Sequence, residues 1–277
     1  MFIRMNDLVL VTYENEETIE FRFFEKTALH NGWKIVRIGE GEKWEGFVNK
    51  INGYMKFCSS LPDNTIVILS DARDVFCLRS PNAFTDAFNY MKADILVSAE
   101  IFCEGQIEVN EDYVGRQCVS LQPYYKFHNI KPHPIRKFVN SGLIAGKAKA
   151  LRHMLQWIID QNYTDDQLGV GMYMNAFPMN VRLDADAELL HTSTFGINGG
   201  VYTIHQQKHD APNFAELFGC GAFFLHVPGY KNIKGQKLLY ECVKQHLELH
   251  NTDELLKIYN EPPPPWDNYG DLKKLRP

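Results

Sequence analysis

Two aspartates, Asp71 and Asp74, close the stretch Ile66-Val-Ile-Leu-Ser-Asp-Ala-Arg-Asp74. Positions i and i+3 of a turn lie on one side of the chain, so both carboxylates can face one cation. A turn followed by a helix cap would use the same pair. Two other apolar runs also end in ionisable groups, Asp94-Ile-Leu-Val-Ser-Ala-Glu100 and Ala222-Phe-Phe-Leu-His226. Two carboxylates with one imidazole make a plausible divalent-metal site. Oxygen ligands alone suit Mg²⁺ or Ca²⁺. Adding the imidazole tilts the choice toward Mn²⁺. A histidine at a strand end is more often a satisfied, half-buried side chain, so the three groups count only if the fold gathers them. A second acidic pair, Asp165 and Asp166 in Thr164-Asp-Asp-Gln167, has two readings: helix capping, or a carboxylate base for proton transfer.

The elements that must position these groups follow from pattern. Ile66–Leu69 is an uninterrupted run of strand formers, as in a strand buried on both faces of a parallel sheet. The crevice beyond the carboxyl ends of such strands is where ligands bind. Leu8-Val-Leu-Val-Thr-Tyr13 is a first strand. Thr18 is the expected cap of a helix to about Leu29, with Phe21, Phe24 and Leu29 inward. Residues 33–38 form a second strand. A glycine-rich loop, 39–46, then carries Trp44, either a packed lid or a flat surface for a planar ligand. The next helix, about 47–60, carries Lys56. Ser80-Pro81 starts another helix, with serine as cap and proline first. Residues 103–135, broken by Pro123, Pro132 and Pro134, read as a long binding loop or flap. Residues 137–146 are a strand interrupted by Asn140-Ser141-Gly142, where a glycine signals close approach of another group. Residues 147–161 form a strongly amphipathic helix. Thr164 caps the next one, through about 175. Short strands follow at 180–184, 188–191 and 222–226, and then a surface helix at 235–250. The tail Glu261-Pro-Pro-Pro-Pro-Trp266 has linker composition. The expected organisation is one α/β domain over 1–250 and a C-terminal helix and proline-rich linker over 251–277 leading to further domains.

Composition narrows the function classes. The chain has 277 residues, with 29 basic against 34 acidic groups. No Lys/Arg cluster stands out, which argues against a nucleic-acid partner. No stretch approaches the length of a membrane span and no secretory signal is visible, so the expected location is cytoplasmic. The six cysteines lack metal-ligand spacing and read as free thiols.

Taken in order, the motifs resemble a metal-dependent GT-A glycosyltransferase, in particular the glycosyltransferase domain of the lysyl (procollagen) hydroxylases. Similar domains occur among sugar-transferring enzymes of large DNA viruses. The matching pieces are Leu8-Val-Leu-Val-Thr12, Gly41-Glu-Lys-Trp44-Glu-Gly46, Ile66–Val75, Leu96-Val-Ser-Ala-Glu100, Phe138–Gly146, Asp165-Asp-Gln-Leu168 and Phe224-Leu-His226-x-x-Gly229. The resemblance implies a Rossmann-like, mostly parallel sheet flanked by helices, a UDP-sugar donor, and a glycan or protein-linked acceptor. Asp71 and Asp74 fill the metal-binding D-x-x-D, and His226 fills the third metal position. Thr12 and Trp44 match positions that hold the uridine. Asn140, Asp165, Asp166 and Gln167 match segments facing the donor sugar and the acceptor. An inverting enzyme needs a carboxylate base, for which Asp165 or Asp166 is the candidate, whereas in a retaining enzyme those acids hold sugar hydroxyls. Tyr13, Lys56, Ala72, Ser141, Gly229 and Lys231 complete the expected nucleotide-sugar contacts, Lys231 on the diphosphate. The chain departs from the family after the histidine, where Val227-Pro-Gly-Tyr-Lys231 replaces G-N-G-P-T-K. It departs again after Glu100, where Glu104-Gly-Gln106 replaces a tryptophan-rich segment. The competing readings are a sugar-1-phosphate nucleotidyltransferase and a non-catalytic glycan-binding module. The nucleotidyltransferase would carry glycines after the first strand, where this chain has Thr12-Tyr-Glu-Asn-Glu16.

Overall fold

The computed structural model describes residues 8–100, 119–134, 136–192, 201–202, 208–209, 222–226 and 228. The first strand, β1 (Leu8–Tyr13), lies between β2 (Ile35–Ile38) and β3 (Ile66–Ser70), parallel to both. The sheet continues through β6 (Phe138–Lys147), β5 (Ile95–Glu100), β8 (Leu190–Thr192) and β11 (Phe224–His226) to β4 (Val75–Cys77), and β7 (Val181–Asp184) also pairs with β5. Most pairings are parallel, as expected. However, β6 runs antiparallel to both its neighbours, and β4 runs antiparallel to β11. A separate two-stranded ribbon joins β9 (Val201–Tyr202) to β10 (Lys208–His209).

Both faces of the sheet are apolar, which is why the central strands read as continuous runs. Val67 and Leu69 face one core, and Ile66 and Ile68 face the other. The first core is closed by α2 (Phe47–Ser59), α4 (Gln122–His128), α5 (Ala148–Asp160) and α6 (Asp166–Ala176), through Ile51, Tyr124, Leu151 and Tyr173. The second is closed by α1 (Ile19–His30) and α3 (Phe84–Tyr90), through Phe21, Phe24, Phe84 and Phe88. The result is the α/β, GT-A-type arrangement the sequence implies. Among the described residues no helix is long and apolar enough to cross a membrane.

Several local expectations change. On α1 the inward stripe is Phe21, Phe24 and Ala28, while Leu29 is exposed. Thr18 does cap α1, accepting from the Phe21 N–H at 3.1 Å. Ser80 makes no capping bond, and a 3-10 turn, Pro81–Ala83, precedes α3. The cap of α6 is Asp165, one residue later than expected. Pro123 does not break the 103–135 stretch: a proline is tolerated in a first turn, and it sits in the first turn of α4. Residues 101–118, the 235–250 helix and the proline-rich tail lie outside the described residues, as do Gly229 and Lys231. Of the cysteines, Cys58 and Cys77 are described, and both are free and buried.

Candidate active site

Five strand ends build the site. Asp71 follows β3, Glu100 ends β5 and His226 ends β11. Because β6 is antiparallel, its beginning, with Asn140 and Ser141, lies at this same edge. Because β4 is antiparallel to β11, Val75 pairs with His226 and brings Asp74 beside the imidazole. The ligand atoms of Asp71, Asp74 and His226 all lie within 4.8 Å of one another. His226 Nε2 is 3.3 Å from Asp74 Oδ1 and 3.8 Å from Asp71 Oδ2. That nitrogen is buried, and among the described residues no partner meets it with full hydrogen-bond geometry. Burial acts to lower the His226 pKa, but Asp74, Asp71 and Glu100 outweigh it and hold it above the ordinary imidazole value. A positive centre is therefore favoured here. Two carboxylate oxygens and an imidazole nitrogen fit a divalent ion such as Mn²⁺ or Mg²⁺.

The three groups border a cavity of about 650 Å³. Tyr13, Trp44, Ala72, Asn140, Ser141 and Gln167, the expected nucleotide-sugar contacts, also line it, as does Pro228. Trp44 is half exposed at the mouth, tilted against Tyr13 with ring centroids 5.9 Å apart. The Tyr13 hydroxyl donates to Glu42 at 2.7 Å, and burial followed by that carboxylate pushes its pKa up to about 12. Gly39 and Gly53 make room for the Tyr13 ring, since a Cβ on either would lie within 2.7 Å of ring carbons.

Three expected contacts are placed elsewhere. Thr12 is fully buried and donates to the Ser70 carbonyl at 2.8 Å, tying β1 to β3 below the cavity. Lys56 is exposed on α2 and does not line the cavity. Asp165 accepts from the Leu168 N–H at 2.8 Å, the capping role its position allows.

The cation that sequence reasoning missed is Lys50. It lies in the inward stripe of α2 with Ile51, Tyr54 and Cys58. Its ammonium is 2.5 Å from Asp71 Oδ1 and 2.8 Å from Asp166 Oδ2. Burial alone would lower its pKa, but Asp166 and Asp71 raise it on balance, so it is charged. A lysine inside an apolar helical stripe was the available signal. Glu14 and Arg73 were also missed. They line the cavity and form a two-pronged ion pair, with Arg73 Nε and Nη2 each donating at 2.7 Å.

The sequence profile of one family, described as the PLOD GT domain, matches residues 4–215. Among solved structures, the chain is similar to a glycosyltransferase involved in glycosylation of the major capsid of PBCV-1, at 12% identity and a TM-score of 0.46, covering 87% of this chain and 98% of that one. It is also similar to mouse xyloside xylosyltransferase 1 in its apo form, at 11% identity and a TM-score of 0.45, covering 80% of this chain and 97% of that one. A comparison with curated proteins gave no match. With most of its length matched by the family profile, the chain belongs to the PLOD GT domain family, the glycosyltransferase domains of lysyl hydroxylases.

Proposed function

We propose that this glycosyltransferase is divalent-metal dependent and moves a hexose, galactose or glucose, from a UDP-sugar to a hydroxyl of a glycan or modified protein. The observation that carries the reading is the close gathering of Asp71, Asp74 and the buried His226 Nε2, whose ligand atoms all lie within 4.8 Å of one another. Asp71, Asp74 and His226 would hold the ion, which when bound would supply Lewis-acid stabilisation to the leaving diphosphate. The chain's own groups do the rest. Trp44 and Tyr13 give the uracil an aromatic surface. Lys50 adds fixed positive charge beside Asp71. Asn140, Ser141 and Gln167 face the donor sugar. In an inverting reaction Asp166 takes the acceptor's proton as the new bond forms. In a retaining one it holds sugar hydroxyls instead.

The two alternatives are less well supported. The turn after β1 has no glycine-rich phosphate cradle, which disfavours a nucleotidyltransferase. An intact acid–acid–imidazole cluster disfavours a purely glycan-binding module. Isothermal titration with UDP, with and without Mn²⁺, tests the proposal. Affinity should require the metal and vanish in Asp71→Ala. Binding of equal strength without metal, or undiminished in that variant, overturns it.

A further inference from the structure

Beside the candidate ligands, lining the same cavity, Glu100, Asn140, Ser141 and Gln167 form a hydrogen-bonded polar network. Asn140 Oδ1 accepts from the Gly142 N–H at 2.9 Å, and Asn140 Nδ2 donates to Glu100 Oε2 at 3.0 Å. Gln167 Oε1 accepts from the Ser141 N–H at 3.3 Å, and Gln167 Nε2 donates to Glu100 Oε1 at 2.8 Å. A backbone N–H can only donate, so two successive main-chain donors decide which end of each amide carries oxygen. Both NH₂ groups then converge on Glu100, which is buried and accepts from both. On the far side, Asn140 Oδ1 sits 2.8 Å from His226 Nδ1. An oxygen acceptor there demands a proton on Nδ1, so in the neutral ring Nε2 is the nitrogen left to offer its lone pair toward Asp71 and Asp74.

The geometry points to Glu100 and Asn140 as positioning residues that set the His226 tautomer and so present its Nε2 to a divalent cation. Metal-binding histidines commonly gain this orientation from a carboxylate or carbonyl on the other nitrogen. Here an amide relays the carboxylate's demand. The inference rests on the metal-site reading above and adds to it how the imidazole is oriented.

A double-variant cycle tests it, with Mn²⁺ alone as the probe and calorimetry as the readout. Glu100→Gln keeps the shape but sets an NH₂ group against an NH₂ group, so one amide must turn. Mn²⁺ affinity should fall by about 10- to 100-fold. In a His226→Ala background the same change should cost nothing further, because Glu100 acts only through that ring. Electron spin-echo spectroscopy of bound Mn²⁺ should show the imidazole nitrogen coupling diminished in Glu100→Gln. If that variant does not fold, Asn140→Leu removes the acceptor opposite Nδ1 and enters the same cycle with the same expectation. Unchanged affinity, or an equal loss with and without His226, overturns the inference. Metal binding that disappears in Asp71→Ala yet persists in Glu100→Gln overturns this inference alone. No Mn²⁺ uptake by the wild type removes the metal reading and this inference together.

Discussion

Lys50 changes what the two acids flanking it can do. One ammonium bridges Asp71, a candidate metal ligand, and Asp166, the candidate base, so the two functions share a counter-ion. Asp166→Asn should leave UDP binding within a few fold, because Lys50 keeps Asp71 as partner, while transfer falls by roughly 100-fold or more. Transfer assays alongside UDP titration check this, and a fully active variant would remove Asp166 from the chemistry. Neighbouring letters were legible only as a pair. Asp165 and Asp166 look alike in the sequence, yet one caps α6 and the other reaches Lys50. Which of two adjacent acids turns inward depends on where the helix begins, a boundary that pattern alone places only to within a few residues. The same uncertainty misassigned the lysine of α2. Only Lys56 was singled out on that helix, and the helical phase of Ile51, Tyr54 and Cys58 is what turns Lys50 inward instead.

At the scale of elements, β6 organises the site. Its pairing with β5 shifts register between Val97 and Ser98, which frees Ser141 and Gly142 to point their N–H groups at side chains. Gly142 also carries the His226 ring: a Cβ there would fall 2.1 Å from His226 Cε1. Gly142→Ala should therefore displace the imidazole and weaken Mn²⁺ binding by about tenfold or more. A Mn²⁺ titration checks this, and unchanged affinity would mean the ring has room to move. The sequence anticipated a close approach at this glycine and the strand containing it. It could not reveal that β6 is antiparallel, since a strand buried on both faces has the same composition in either direction. The short α4 was hidden because proline marks helix starts as well as breaks.

For the molecule as a whole, buried titrating groups tie stability to pH. The guanidinium of Arg136 lies 3.2 Å from His191 Nε2 and can only donate, so that nitrogen is unprotonated. Burial, then Arg136, lowers the His191 pKa to about 3. Between there and the ordinary value near 6.5, the unfolded chain binds a proton that the folded chain refuses. This contribution is complete above about pH 6.5 and is lost as pH falls, by up to about 1.4 kcal/mol per unit. His226, held above its ordinary value, acts oppositely, losing its contribution as pH rises. Urea midpoints at pH 7 and pH 5 should therefore fall more steeply on acidification for the wild type than for His191→Asn, and parallel slopes would refute the assignment. The order of strands carries one more consequence. β11 slots between β8 and β4, though it is made long after either. On the ribosome, a nascent chain that has not reached Phe224 has neither its third candidate ligand nor a partner strand on that side of β4. The candidate Asp–Asp–His cluster therefore stays one group short until translation is well advanced.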